Sequence, residues 1–580
     1  MARYFFAELL LVLLPLPALA QGVAVVEGGS PKASVVLGAA ASAEEREAAN
    51  ELIAYVKKTT GAVLPVGDSA HGARIHVGLA ACPPDSRQVL ANAAAEAYLI
   101  QVLPGPGRIV LAGNGRHATS FAVYEFLERY AGVRWLWPGE VGEVAPRSDR
   151  LTAQAANLLR QPAFTWRGLG PGGALWGPAD RWRKERELGV SLAHQEEQRL
   201  WERRNRFGGQ VIYGGHAFGE ILPPATYGPV HPEYYALVNG ERDWRDFNGK
   251  HRSQLCTTNP EVVRLVVEYC RRMFEQHPDY DAVSISPNDG RGFCECDNCR
   301  RLDTGELMNA RADPETGRAA TLPVISDRMI TFGNLVAAGV AKSHPSKKVI
   351  LYAYGQYSEP PKKTRAHPAL IVQWTVHSFG WWDANARARS CQTMRGWAKA
   401  AENLAVYEYL TQTNFPDMPR LIPELLSVEL RELHKSGFRY FQTQAGNGFA
   451  VNGLNFYVLA RLLWDPVADY RSIVDDYVRT GFGAAAPAVK RYFERHIERW
   501  KSNRSPEVKM NDASIRDYDA VLGLYTRGYR DACRADLDEA LRLAAGVERK
   551  RVEFLRQGFD YFEKTIEAAE KTYPILKSGW

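Results

Sequence analysis

Long runs of one kind are what this sequence lacks. The net charge of +6 is spread along the chain with no basic block, which argues against a nucleic-acid partner. After the first twenty residues no apolar run approaches the roughly eighteen residues needed to span a bilayer, so no later transmembrane segment is expected. Internal repeats and low-complexity linkers are absent too, which leaves no sign of a repeat array. Cysteine is sparse, eight in 580 residues, and a chain of this length can build cores that need neither disulfide staples nor metal.

What is present begins with a leader. Arg3 is followed by an apolar run from Phe5 to Leu19, broken only by Glu8 and two prolines, and the run ends in Ala18-Leu19-Ala20. This pattern predicts a secretory signal over residues 1–20, cut before Gln21, and an exported protein, periplasmic or extracellular. The length predicts two or three domains. The 14 Trp and 26 Tyr supply flat faces on which a sugar could stack, although core packing accounts for most of them.

Residues 21–150 read as a small α+β domain. Strands are expected near Ser34–Leu37, Arg74–Leu79 and Arg108–Ala112. One helix is opened by a capping box of Ser42 and Glu45 and closed at Gly61, and a second runs from Thr119 to Tyr130. The glycine-rich stretch Gly113 to His117 reads as a plain turn. From 151 to 465 short β-rich runs alternate with amphipathic helices, which predicts parallel strands with helical crossovers. Eight candidates, Phe164–Leu169, Gln210–Tyr213, Ser253–Cys256, Ala282–Ser286, Lys348–Tyr354, Leu370–Val376, Leu404–Leu410 and Phe438–Gln444, point to a (β/α)8 TIM-like barrel. Residues 466–580 read as a helical region.

In such a barrel the reacting groups stand at the C-terminal strand ends. Those ends carry Arg167, His216, Asn288, Asp289, Tyr354, Trp374, His377, Glu408, Gln442 and Gln444. Carboxylates, hydrogen-bonding groups and aromatic platforms together suit glycoside hydrolysis, and Asp289 and Glu408 could flank a scissile bond. A second arrangement needs only one acid: an N-acetylhexosamine can attack its own anomeric carbon through the 2-acetamido oxygen, with Asp289 as acid/base and Asn288 orienting the acetamide. Against these stand plainer roles, since either carboxylate could pair with a local Arg and Asn-Asp-Gly favours turns. Arg167 could fork two sugar hydroxyls or form a structural ion pair. His216 has small neighbours that permit close ligand approach. Phe379, Trp381 and Trp382 could wall a subsite or plug the barrel. Tyr354, Trp374 and Gln444 complete the expected substrate-binding set, whose partner would be an oligosaccharide or glycan.

Cys294, Cys296 and Cys299 form a compact Cys-x-Cys-x2-Cys, and Cys256 is the natural fourth member. Four such thiols could form two disulfides, which export favours, or bind a structural zinc, which the very short loops favour. No catalytic metal or other cofactor is expected.

The segments HPEYYALVNGERDW (231–244), SQLCTTNPEV (253–262), SISPNDGRGFCECDNC (284–299) and FLERYAGVRWLWPGEVGEV (126–144) resemble the bacterial family called domain of unknown function 4838. That family overlaps glycoside hydrolase family 163. The resemblance implies a barrel glycosidase of the endo-β-N-acetylglucosaminidase kind, acting with retention and substrate assistance. The N-terminal part is similar to the accessory domain of α-glucuronidases and β-hexosaminidases, and Trp166-Arg167-Gly168 resembles the sugar-binding Arg motif that opens hexosaminidase barrels. Two alternatives stay open: an exo-glycosidase on sugars such as uronic acids using Asp289 and Glu408 as a pair, and a catalytically silent glycan-binding protein.

Overall fold

The computed structural model describes residues 22–67, 72–171, 192–244, 253–310, 320–376, 381–410, 418–445, 448–502 and 521–578. Residues 1–20, where a signal segment is expected, and His377 and Phe379 lie outside these residues. The chain divides into two units, one holding the residues up to Val133 with Ala145–Gln161, the other Arg134–Val144 with Pro162 onward.

In the first unit a five-stranded mixed sheet has the order β5-β3-β4-β2-β1, where β1 is Ala33–Leu37, β2 Ala73–Val77, β3 Tyr98–Leu103, β4 Arg108–Gly113 and β5 Ala156–Arg160. Helix α1, Ala43–Thr60, follows β1, and both halves of its capping box form: Ser42 Oγ accepts from the Glu45 N–H and Glu45 accepts from the Ser42 N–H. Gly61, at φ +80°, ends it in the left-handed conformation that favours glycine. Helix α2, Ala118–Tyr130, buries Phe121, Val123, Phe126 and Leu127. Gly113 to His117 forms the turn at the end of β4.

The second unit is built on a curled eight-stranded sheet. Its strands are β6 (Trp166–Pro171), β7 (Gly208–Gly209), β8 (Ile212–Tyr213), β9 (Ala282–Ser284), β10 (Lys348–Ala353), β11 (Leu370–Val376), β12 (Asn403–Tyr409) and β13 (Phe438–Ala445). Their order is β7-β6-β13-β12-β11-β10-β9-β8. Every pairing is parallel except that of β7 with β6. The first long strand thus lies beside the last, as in a barrel, while the ladder stays open between β7 and β8, and the short stretch of chain linking those two strands spans the opening. Ser253–Cys256 is not a sheet strand: Leu255 makes only an isolated antiparallel bridge with Tyr235. The eight-strand count is therefore corrected to seven parallel strands and one two-residue antiparallel strand. A complete (β/α)8 ring is replaced by a curled sheet closed by covalent connection.

The curl is evident from the core. Trp166, Ile212, Ala282, Ile350, Ile371, Ala405 and Tyr440 form one buried cluster, with one side chain from each parallel strand. Such a layer arises only if all seven strands turn the same face toward a common axis. Truncating Trp166 to Ala there should cost about 3–5 kcal/mol. Helices cover the outer face. Among them α4, Pro260–Gln276, starts at Asn259, whose side chain accepts from the Glu261 N–H, and buries Val266, Cys270 and Phe274. The described residues beyond 465 are mostly helical, and the longest of their helices spans Gly546–Ser578. No helix of the described residues is long and apolar enough to cross a membrane.

Candidate active site

The floor cluster sets which residues point inward, because side chains alternate along a strand. Two residues beyond the floor come Gly168, Ser284, Tyr352, Gln373, Tyr407 and Gln442. Four beyond come Gly170, His216, Ser286, Tyr354, Thr375, Tyr409 and Gln444. Contacts across the interior agree with this parity. Gln373 donates to Gln442 at 2.8 Å, and Tyr352 meets Tyr407 edge-on with centroids 6.0 Å apart. His216 packs on Tyr352 and Tyr354 at 5.2 and 6.3 Å, and Tyr407 donates to Gln444 at 3.4 Å. Tyr354, Thr375, Tyr407, Tyr409 and Gln444 are half-buried and His216 is exposed. Partial exposure inside a sheet marks an open cavity at the strand ends.

Asp289 stands at the rim of this cavity. It is exposed, and its charge reaches Tyr409 and Tyr357. The turn that presents it continues into Gly290 at φ +130°, a conformation that L side chains rarely adopt. The residue before it is pinned. Asn288 is buried, its Oδ1 accepts from the Gly219 N–H at 2.9 Å, and its Nδ2 donates to the Ser253 carbonyl at 2.7 Å. Gln254 donates to the Asn288 carbonyl at 2.8 Å. An amide so engaged holds the turn, and the expectation that Asn288 orients a substrate acetamide is corrected accordingly.

Three more expected site residues stand on the opposite face of the sheet. Arg167 is one position out of phase with Trp166, so its guanidinium is buried under the helices. There it donates to the carbonyls of Arg206 and Phe164, each at 2.8 Å, and lies 5.0 Å from the Trp464 ring. Trp374, out of phase with Gln373, is buried against Phe438. Glu408 lies between Tyr407 and Tyr409, which take the inward positions, and is fully buried beside Arg420. Burial lowers the Arg420 pKa, and Glu408 is the first group opposing that shift. Trp381 is buried and Trp382 half-buried just ahead of the helix Ala384–Ala400.

The structure thus brings together Asp289, His216, Tyr354 and Gln444, and adds Tyr407 and Tyr409, which strand ends alone did not single out. Their signal was the Tyr-Glu-Tyr alternation, readable only once Ala405 is known to face inward. Burial, then Tyr354, pushes the Tyr407 phenol up to about 12. Burial, then Tyr354, Tyr407 and Asp289, raises Tyr409 as well. Both phenols are therefore protonated donors at neutral pH. His216 Nδ1 faces the Pro287 carbonyl, which in the neutral ring places the proton on Nδ1 and leaves Nε2 as the acceptor. Among the described inward positions and the turn after β9, Asp289 is the only carboxylate.

Two other features lie apart. A groove of about 910 Å³ lined by Glu306, Lys362, Lys363, Arg365, Arg389 and Lys399 shares no residue with the strand-end cavity. Cys256, Cys294, Cys296 and Cys299 gather with all four Sγ atoms within 4.8 Å of one another. The pair Cys256 and Cys296 are 3.8 Å apart, and all four thiols are free. Two disulfides, one of the two expectations for these residues, are not formed here.

Solved structures with a similar fold are glycoside hydrolases. A family GH115 4-O-methyl-α-glucuronidase with specificity for decorated arabinogalactans is 12% identical, with a TM-score of 0.54 over 95% of this chain and 76% of that one. An N-acetyl-β-hexosaminidase of Streptomyces plicatus is 13% identical, with a TM-score of 0.44 over 79% and 91%. A family 89 glycoside hydrolase of Clostridium perfringens is 10% identical, with a TM-score of 0.46 over 92% and 65%. No curated protein matches the sequence. The model of the family described as domain of unknown function (DUF4838) matches residues 137–494, more than half of the sequence, and the chain belongs to that family.

Proposed function

We propose that this protein is an exported glycoside hydrolase that cleaves β-linked N-acetylglucosamine-containing glycans with retention, the substrate's own acetamide serving as nucleophile. The observation that carries this reading is that Asp289 is the one carboxylate among the described inward positions and the turn after β9. With Glu408 on the far face of the sheet, a two-carboxylate mechanism has no second member among the described residues at the cavity. Substrate assistance needs one acid, and Asp289 fills that place.

Asp289 gives its proton to the leaving glycosidic oxygen as the acetamide oxygen bonds to the anomeric carbon, forming an oxazolinium ion. The resulting carboxylate then takes a proton from the water that opens the ring, and the anomeric configuration is kept. The phenols of Tyr407 and Tyr409 and the amide of Gln444 supply hydrogen bonds to hydroxyls or to the acetamide, and the Tyr354 ring offers a stacking face. A uronic-acid reading would use Arg167 to hold a carboxylate, and its inward-facing premise is gone.

A panel of aryl glycosides and N-glycans assayed with wild type and Asp289→Asn tests the reading. Loss of about 10²–10⁴ in kcat is expected for the variant on β-N-acetylglucosaminides. A variant as active as wild type, or a protein that binds such glycans and turns none over, would refute it.

A further inference from the structure

We propose that Cys256, Cys294, Cys296 and Cys299 bind one structural zinc ion. The separation of the Cys256 and Cys296 sulfurs is 3.8 Å. That matches the edge of a tetrahedron with metal–sulfur bonds of about 2.3 Å, which is about 3.8 Å, and far exceeds a disulfide bond of about 2.05 Å. The remaining sulfurs fall within the same compact set.

The surroundings suit a charged centre. Four thiolates around Zn²⁺ carry two net negative charges, and such a cluster needs hydrogen-bond donors and cations close by. The Leu237 N–H donates to Cys294 Sγ at 3.3 Å and the Thr258 hydroxyl lies 3.1 Å from Cys299 Sγ. Arg242 approaches Cys294 Sγ at 3.9 Å while also donating to the Tyr235 carbonyl at 2.8 Å. Ala236, Leu237 and Val238 pack over the sulfurs. A closed all-thiolate set leaves no position for water or substrate, so the site is structural rather than catalytic. Each thiol gives up its proton to solvent as its metal–sulfur bond forms.

The site joins three separate segments: the hairpin around 237–242, the stretch 253–258, and the loop 294–299. The middle one is also the segment whose Ser253 and Gln254 clasp Asn288. Zinc therefore anchors the loop that begins at Asp289, whatever chemistry that residue performs.

The test is metal analysis of the full-length protein purified without chelator, together with a thiol titration. About one zinc per chain is expected, with the cluster thiols unreactive until an organomercurial or strong chelator releases the metal, and with a lowered Tm once it is gone. Cys256→Ser should lose the zinc and Cys391→Ser, outside the cluster, should keep it. Should Cys256→Ser fail to fold, the wild-type stoichiometry and release still decide. A metal-free wild type whose mass shows two disulfides, or one carrying iron in place of zinc, would overturn the assignment.

Discussion

A one-residue shift along a strand separates the residues that face the cavity from those that hold the sheet to its helices. Asp289 is exposed and makes few demands on the fold, so Asp289→Asn should leave Tm within a degree or two while activity falls. Glu408 should behave in the opposite way. It is fully buried beside Arg420, whose guanidinium also donates to the carbonyls of Tyr409 and Leu410. Glu408→Gln would remove the foremost of the charges that oppose the buried Arg420 guanidinium, so stability in denaturant unfolding should fall. For the molecules that remain folded, kcat on a β-N-acetylglucosaminide should stay near the wild-type value. Arg167→Lys makes a similar case: it keeps the charge but loses the fork onto two carbonyls. Its Tm should fall with KM unchanged, whereas an Arg that gripped substrate would show a raised KM.

At the level of strands and helices, the sequence was legible wherever local chemistry decides. The capping box at Ser42, the Asn259-Pro260 helix start and seven of the eight barrel-strand positions need only near neighbours. Ser253–Cys256 misled because Leu255 and Cys256 followed by β-branched Thr257 look like the end of a strand, whereas here its backbone and side chains clasp Asn288 and deliver Cys256 to the thiol cluster. Inward or outward parity was illegible because it depends on which large residue, Trp166 or Arg167, fills the barrel floor, and no single strand carries that information. A further prediction belongs to helix α3, Leu192–Arg204, ahead of β7. Burial pushes the Glu202 carboxyl up to about 7, with Gln198 and then Arg199 working against the shift. A carboxyl whose folded pKa exceeds its unfolded value holds its proton longer in the native state, so folding stability falls as pH rises from about 4.5 to 7 and stays lower above. The contribution is on the order of 3 kcal/mol. Comparing Tm from pH 4.5 to 8 for wild type and Glu202→Gln should show the variant gaining relative stability across that window; parallel curves would contradict the assignment.

For the molecule as a whole, the alternation of strands and helices was enough to predict a barrel-like second unit, and the resemblance of its motifs to the DUF4838 family is matched by the family model over residues 137–494. The order β7-β6-β13-β12-β11-β10-β9-β8 and the opening beside β8 were not legible, since they depend on long-range pairing. Composition gave the class of partner its plausibility through abundant Tyr and Trp. The proposed mechanism rests on the cavity, where Asp289 is the one carboxylate among the described inward positions and the turn after β9, with the raised-pKa phenols of Tyr407 and Tyr409 beside it; on that reading the substrate supplies the nucleophile. That claim is tested most directly by a series of aryl β-N-acetylglucosaminides whose acetyl group carries none, one, two or three fluorines. Fluorine withdraws electrons from the acetamide oxygen, so kcat/KM should fall steeply and regularly along the series if that oxygen attacks. A rate independent of fluorination would contradict the account.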